Sequence, residues 1–276
     1  MVVQQHRLRG GAVAVTAVAG LMASTAGCSG GGGAVAEDRQ GGDPVGVVHR
    51  AAEVLAGAGS SRTRTSMEMA AGGTRVTIRG EGAYNFRKRM GQLKVLLPKD
   101  PAGVDEHRPI TELLSPGALY MKNRGAGVPV DKWVRIDAAA LDDGNLVTGG
   151  ATDPLVAAEL LRGARTVTYE GRTGLNGESA RHYRGVADIG RAARAASPQV
   201  RGALAAAAKG FAKDAIPFDA YLDDQGRLLK VRHRFSYVNS GRAVAVASTT
   251  VLYAFGTPIQ VRLPAEGDIF AGKIQS

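Results

Sequence analysis

Thr74-Arg75-Val76-Thr77-Ile78-Arg79-Gly80-Glu81-Gly82-Ala83-Tyr84-Asn85-Phe86-Arg87 alternates without a break. Thr74, Val76, Ile78, Gly80, Gly82, Tyr84 and Phe86 point one way, and the residues between them point the other. A period of two over that length specifies a long strand with one face buried and one in water. Glycines inside a strand mark a bulge or a sharp bend, so the sheet it joins is expected to curve. Met90 to Leu97, Thr111 to Leu114, Ala118 to Lys122 and Lys132 to Ile136 read as further strands of a meander, separated by Pro, Gly and Asp turns. Later, Arg165 to Arg172 and Ser179 to Asp188 pair across Gly174-Leu175-Asn176-Gly177, whose Asn-Gly dipeptide favours a tight hairpin turn. Phe218 to Leu222 and Arg227 to Val238 follow, with Leu229, Val231, His233, Phe235 and Tyr237 opposed to Lys230, Arg232 and Arg234. Arg242 to Phe255 and Pro258 to Leu263 read as the last strands.

Helical spacing appears in three places. Val45, Val48, Ala52, Leu55 and Ala56 form a stripe that ends at Gly57-Ala58-Gly59. Asp153-Pro154 sets a capping residue before a proline at the first helical position, and Leu155, Ala158, Leu161 and Ala164 continue the stripe. Ser197-Pro198 opens an Ala-rich helix reaching about Ala212. The order is helix, many strands, helix, two strands, one or two helices, four strands. Strand and helix do not alternate regularly, which specifies an α+β fold on an antiparallel sheet rather than a parallel βαβ one.

The N-terminus has its own logic. Arg7 and Arg9 precede an uncharged stretch, Gly10 to Ala26, too short and too rich in Ala and Gly for a membrane span; it reads as a signal peptide over residues 1–27. The only cysteine, Cys28, follows Thr25-Ala26-Gly27 and resembles the lipobox of bacterial lipoproteins, where the thiol receives a diacylglyceryl group before cleavage. Thr25 departs from the usual Leu or Val. Lipid attachment at Cys28 would tether the chain to the outer side of the cell membrane, because two acyl chains anchor durably where one is marginal. Residues 28–43, with Gly30 to Gly33 and Gly41-Gly42, read as a flexible tether, and residues 44–276 as one domain.

With 44% hydrophobic residues the chain is folded rather than disordered, and its 35 Lys+Arg against 25 Asp+Glu make it basic. No G-x-S-x-G, S-x-x-K, H-E-x-x-H or C-x-x-C pattern occurs, and the fragments of G-x-G-x-x-G lack their third glycine. Neither an enzyme nor a cofactor is therefore expected. His49, His107, His182 and His233 are scattered, and His233 falls on the apolar face of its strand, the place of a core residue rather than a ligand. Asp142-Asp143 and Asp223-Asp224 lie close before glycines, as turns require. Arg75, Arg79, Arg87, Lys88 and Arg89, with Lys230, Arg232 and Arg234, lack interleaved aromatics and fall on outer strand faces. Nucleic acid is not the expected partner; anionic lipid headgroups or acidic wall polymers are.

Several local patterns, in order, resemble the LppX/LprG lipoproteins of actinobacteria, relatives in fold of the LolA and LolB carriers. They are Leu119-Tyr120-Met121-Lys122 with Trp133-Val134; Asp153-Pro154 leading to Leu160-Leu161-Arg162-Gly163; Gly177 with His182-Tyr183-Arg184-Gly185 and Asp188; Tyr221-Leu222-Asp223-Asp224-Gln225-Gly226-Arg227-Leu228; and Tyr253-Ala254-Phe255-Gly256-Thr257-Pro258 before Leu263-Pro264. The resemblance implies a strongly curved, unclosed antiparallel half-barrel, with helices packed on its concave face around an apolar cavity for acyl chains. Met67, Met69, Ile78, Tyr84, Met121, Val231 and Phe235 are then the candidate cavity-lining residues. It further implies a lipoprotein that binds a lipid or glycolipid and carries or presents it in the cell envelope. The alternative is an envelope interaction or sensor module with the same fold and no sizeable cavity; an exported hydrolase would need a site assembled from scattered residues.

Overall fold

In the computed structural model, residues 43–98, 108–123, 127–239 and 241–272 are described. Cys28, the signal peptide and nearly all of the tether lie outside them, as does His107; Asp43, the last tether residue, caps the first helix. The elements are α1 (Pro44–Gly57), β1 (Ser60–Ala71), β2 (Thr74–Asn85), β3 (Met90–Leu96), β4 (Ile110–Ser115), β5 (Ala118–Lys122), β6 (Trp133–Asp137), α2 (Pro154–Glu159), β7 (Ala164–Leu175), β8 (Glu178–Asp188), α3 (Ile189–Ala195), α4 (Pro198–Gly210), β9 (Ala215–Leu222), β10 (Leu228–Asn239) and β11 (Arg242–Tyr253). None of these helices is long and apolar enough to cross a membrane.

All eleven strands join one antiparallel sheet in the order β6-β5-β4-β3-β2-β1-β11-β10-β9-β8-β7. It is two meanders sewn together by their outermost strands in sequence: β1 pairs with β11 from Arg62↔Tyr253 to Ala70↔Ala245. β6 and β7 stand at the two edges, so the sheet is unclosed, as expected. Its curvature has a local cause in β2. A Cβ at Gly82 would fall 1.9 Å from the Gln92 carbonyl oxygen and 2.8 Å from Leu93 Cα, so only glycine lets β3 fold this closely over β2. The β7–β8 hairpin turns at Asn176 and Gly177, both at positive φ, as the Asn-Gly dipeptide requires.

One face of the sheet, the inner, lies under the helices. α1 starts at Asp43, whose carboxylate accepts from the amides of Val45 and Gly46, and it buries Val48, Ala51, Ala52 and Leu55. His49 ties it to the sheet edge by donating to the Ala164 carbonyl at 2.9 Å. The helix opened by Asp153-Pro154 is shorter than its stripe: α2 tightens into a 3-10 turn at Leu160–Gly163, and Ala164 already begins β7. A Cβ at Gly163 would strike the Asp188 carbonyl at 2.3 Å, which fixes where the chain turns.

Two further expectations are corrected. β1 was not anticipated, because its inward residues Ser61, Thr63 and Thr65 are hydroxylic and give no apolar alternation. Pro258 to Leu263 is not a strand. It is an extended strap that crosses the outer face of the sheet, its alternate residues turned inward, which explains the strand-like pattern. The strap leaves through Gly256, whose amide donates to Ser60, and reaches β6, where Phe270 N donates to the Trp133 carbonyl at 2.8 Å. Beneath it Leu113, Ala118 and Tyr120 form a small outer core with Trp133, Val261 and Ile269.

Candidate functional site

The inner face carries most of the anticipated residues. Met67, Ile78, Tyr84, Met121, Val231 and Phe235 are buried there in one continuous core, and Met69 packs half-buried against it. The helices bury alanines, Ala51 and Ala52 from α1, Ala157 and Ala158 from α2, Ala192 and Ala193 from α3, Ala203 and Ala207 from α4, beside larger side chains such as Leu55, Leu155, Leu161 and Leu204. Phe211, at the end of α4, stacks on Phe235 with ring centroids 4.5 Å apart.

Between β6 and α2 the chain does not pass around the groove; it dips into it. Leu146, Val147 and Ala151 are buried in the common core. The segment is held in shape by Asp143, whose carboxylate accepts from the amides of Asn145, Val147 and Thr148 and from the Thr148 hydroxyl, at 2.6–3.0 Å. Asn145 in turn accepts from Gly149 N. Asp143 is thus a turn organiser, as its place near Gly144 suggested. Gly149, Gly150 and Ala151 lie against the strands: Cβ positions built at Gly149 and Gly150 would sit 3.1 Å from a Glu112 carboxylate oxygen and 3.1 Å from Val95. Thr152 shares a 2.7 Å hydrogen bond with Ser248 of β11.

A small cavity of about 40 Å³ remains beside this segment, lined among others by Tyr84, Asn145, Asp153, Leu155 and Ala203. That is close to one water's share of liquid volume and far below the ~300 Å³ at which ligand pockets begin. Larger hollows lie elsewhere. One of about 320 Å³ at the rim is lined by Met69 and Phe235 together with Arg232 and Arg234. Another, of about 370 Å³, lies between the strap and the outer faces of β1 to β3.

The titratable groups here are strongly perturbed. Asp153 caps α2 and accepts the Tyr84 hydroxyl at 3.1 Å; burial outweighs these hydrogen bonds and lifts its pKa to about 6. Burial likewise raises Tyr84 well above its ordinary value. His233, 2% exposed on the inner face of β10, is pushed down to about 3 by burial and stays neutral. It is the core residue expected, but among the described residues its Nε2 has no hydrogen-bond partner.

On the outer face Asp219 gathers His182, Arg184 and Arg234 at 3.0–3.1 Å. Burial works to raise its pKa, and these hydrogen bonds override burial and hold it below the usual carboxylate range. His182 stacks on Tyr221 at 4.4 Å. This is a satisfied ion-pair network around a structural carboxylate; nothing in the spacing of His182 and Asp219 along the chain announced it. Among the described residues, no group of His, Cys, Asp and Glu is arranged to hold a metal ion.

No family model matches the sequence, and no curated protein matches it. Among solved structures the chain is similar to LprF from Mycobacterium bovis, at 12% identity and TM-score 0.41, over 80% of this chain and 97% of that one. It is also similar to the Mycobacterium tuberculosis lipoprotein LppX, at 10% identity and TM-score 0.45, over 80% of this chain and all of the other. A third is a LolA superfamily protein from Nitrosomonas europaea, at 11% identity and TM-score 0.33, over 77% and 94% of the two chains. What the groove holds has to be argued from its own residues.

Proposed function

We propose that this chain is an envelope lipoprotein, tethered through Cys28, that binds a lipid against the inner face of its sheet and carries or presents it outside the cytoplasmic membrane. The observation that carries this is the character of the cover. A largely apolar sheet face, from Met121 on β5 to Val231 on β10 and interrupted by the hydroxyl side chains of β1 and β11, is covered by short helices, many of whose buried residues are alanines, and by one coil segment that includes Gly149, Gly150 and Ala151. An alanine buries little area, so where the cover is alanine or glycine it lifts at less cost than a layer made of large side chains throughout. An acyl chain taking its place gains about 0.8 kcal/mol per buried CH2. The role is binding rather than catalysis.

The test is organic extraction and lipid mass spectrometry of the full chain purified from its natural envelope, beside Cys28→Ser to discount the anchor. A stoichiometric lipid of restricted class is the expected result. An empty protein that takes up nothing from liposomes overturns the reading.

A second reading is favoured by the 40 Å³ cavity: an interaction module that works through its basic outer face, toward acidic wall polymers or anionic headgroups. It requires that Met121→Trp leave partner binding intact and that charge reversal of Arg232 and Arg234 abolish it.

A further inference from the structure

Along the floor of the groove, β1 presents Ser61, Thr63 and Thr65 at alternate positions, 0%, 0% and 6% exposed. Among the described residues none of the three side-chain oxygens has a hydrogen-bond partner, and the same holds for His233 Nε2 two strands away. Across β2 the neighbours of Thr63 and Thr65 are Gly82 and Gly80, which contribute no side chain. Across β11, Thr63 faces Leu252 and Thr65 faces Thr250, which in turn faces Val231, while Ser248 lies between Met67 and His233; Ser61 faces Tyr84 of β2. Around Thr63 and Thr65 the floor is therefore a patch of hydroxyls and bare backbone, bordered by Tyr84 and Leu252. Ala151 roofs it, its Cβ 3.4 Å from a Cβ built on Gly80.

A buried hydroxyl left without a partner destabilises the fold, and an apolar residue of the same shape would remove that cost. Valine is isosteric with threonine and the better strand residue, yet three successive inward positions carry hydroxyls. The row bears no cation, so it offers nothing to a phosphate. Each hydroxyl both donates and accepts, and the imidazole is neutral.

The geometry points to a hydrogen-bonding subsite, built from Thr63 and Thr65 and flanked along the row by Ser61, for an uncharged hydroxyl or ester group of the bound lipid, which enters where Ala151 now lies. This deepens the lipid-binding reading and rests on it. The acyl part would occupy the apolar face, and the subsite would fix its register and select neutral acylglycerol-type heads over hydrocarbon.

The experiment uses the full chain with two probes offered from phosphatidylcholine vesicles, monopalmitoylglycerol and hexadecane, each quantified by mass spectrometry after the vesicles are removed. Thr63→Val with Thr65→Val is expected to fold with an unchanged or raised Tm and to bind monopalmitoylglycerol at least about tenfold more weakly, the effect of one or two lost hydrogen bonds. Hexadecane uptake stays unchanged. Thr63→Ser with Thr65→Ser keeps the hydroxyls and restores binding, which separates recognition from a packing defect. Equal loss of both probes, or no loss of either, overturns the subsite while leaving lipid binding standing. A native chain that takes up neither probe overturns both.

Discussion

Two buried groups of opposite chemistry set the acid response. Asp153 holds its proton up to about pH 6 in the folded chain, whereas an unfolded aspartate has lost it by about 4. The folded state binds the extra proton between those values, so this group lowers stability as pH rises through the window. His233 works the other way. It stays neutral down to about 3 while the unfolded imidazole is protonated below about 6.5, so its contribution is lost as pH falls from 6.5. The two slopes oppose each other between about pH 4 and 6. In urea titrations, Asp153→Asn, which keeps a capping acceptor, should show stability rising steadily with pH over that range. His233→Phe should show it falling. A common profile for both variants and the native chain would refute this linkage. Gly82→Ala tests the bend: with the Gln92 carbonyl at 1.9 Å from the added Cβ, backbone must move, and a loss of about 2–3 kcal/mol is expected in the same titration.

Most strands and helices were legible as elements because apolar residues mark them. β2, β5, β10 and α4 follow directly from period and caps, and so does the turn at Asn176-Gly177. What escaped was written in polar residues. β1 hides because its buried face is Ser61, Thr63 and Thr65, and the strap passes for a strand because Ile259 and Val261 alternate while crossing the sheet instead of pairing with an edge. The segment from Leu141 to Thr152 gives no periodic signal at all, although it fills the groove; its shape comes from one carboxylate and two glycines. Asp143→Ala should therefore release it. Three backbone amides and a hydroxyl lose their acceptor, which costs at least about 2 kcal/mol, and hydrogen exchange at Asn145, Val147 and Thr148 should accelerate before that of β10 and β11. Uniform acceleration throughout the sheet would mean the segment is not a separate unit.

Among the described residues, Met67, Met69, Ile78, Tyr84, Met121, Val231 and Phe235 share or pack against one core, whereas the hydroxyl row, Asp153 and the Asp219 network were not anticipated, since their meaning depends on what lies across the sheet. The strap gives a global probe. Trp133 is the only tryptophan; it receives Phe270 N, pairs in parallel with Ile269, and lies under Lys122 Nζ at 5.6 Å. Ile269→Asp should detach the strap end and shift tryptophan emission to the red while far-ultraviolet dichroism stays native. Unchanged emission would show that the outer core holds without it.

The seam between β1 and β11 carries a consequence for how the chain comes into being. The first strand of the sheet waits for the last, so during synthesis β1 to β6 stand as a meander whose future centre is an open edge. Such an edge invites pairing with other chains, and pairing of strands this far apart in sequence is slow. An apolar β1 would be most hazardous during that interval. With Ser61, Thr63 and Thr65 on its inner side and Arg62 and Arg64 on its outer, the unpaired strand stays wetted until residues 242–253 arrive to cover it. The same hydroxyls that the finished groove leaves unpaired thus keep the unfinished one soluble.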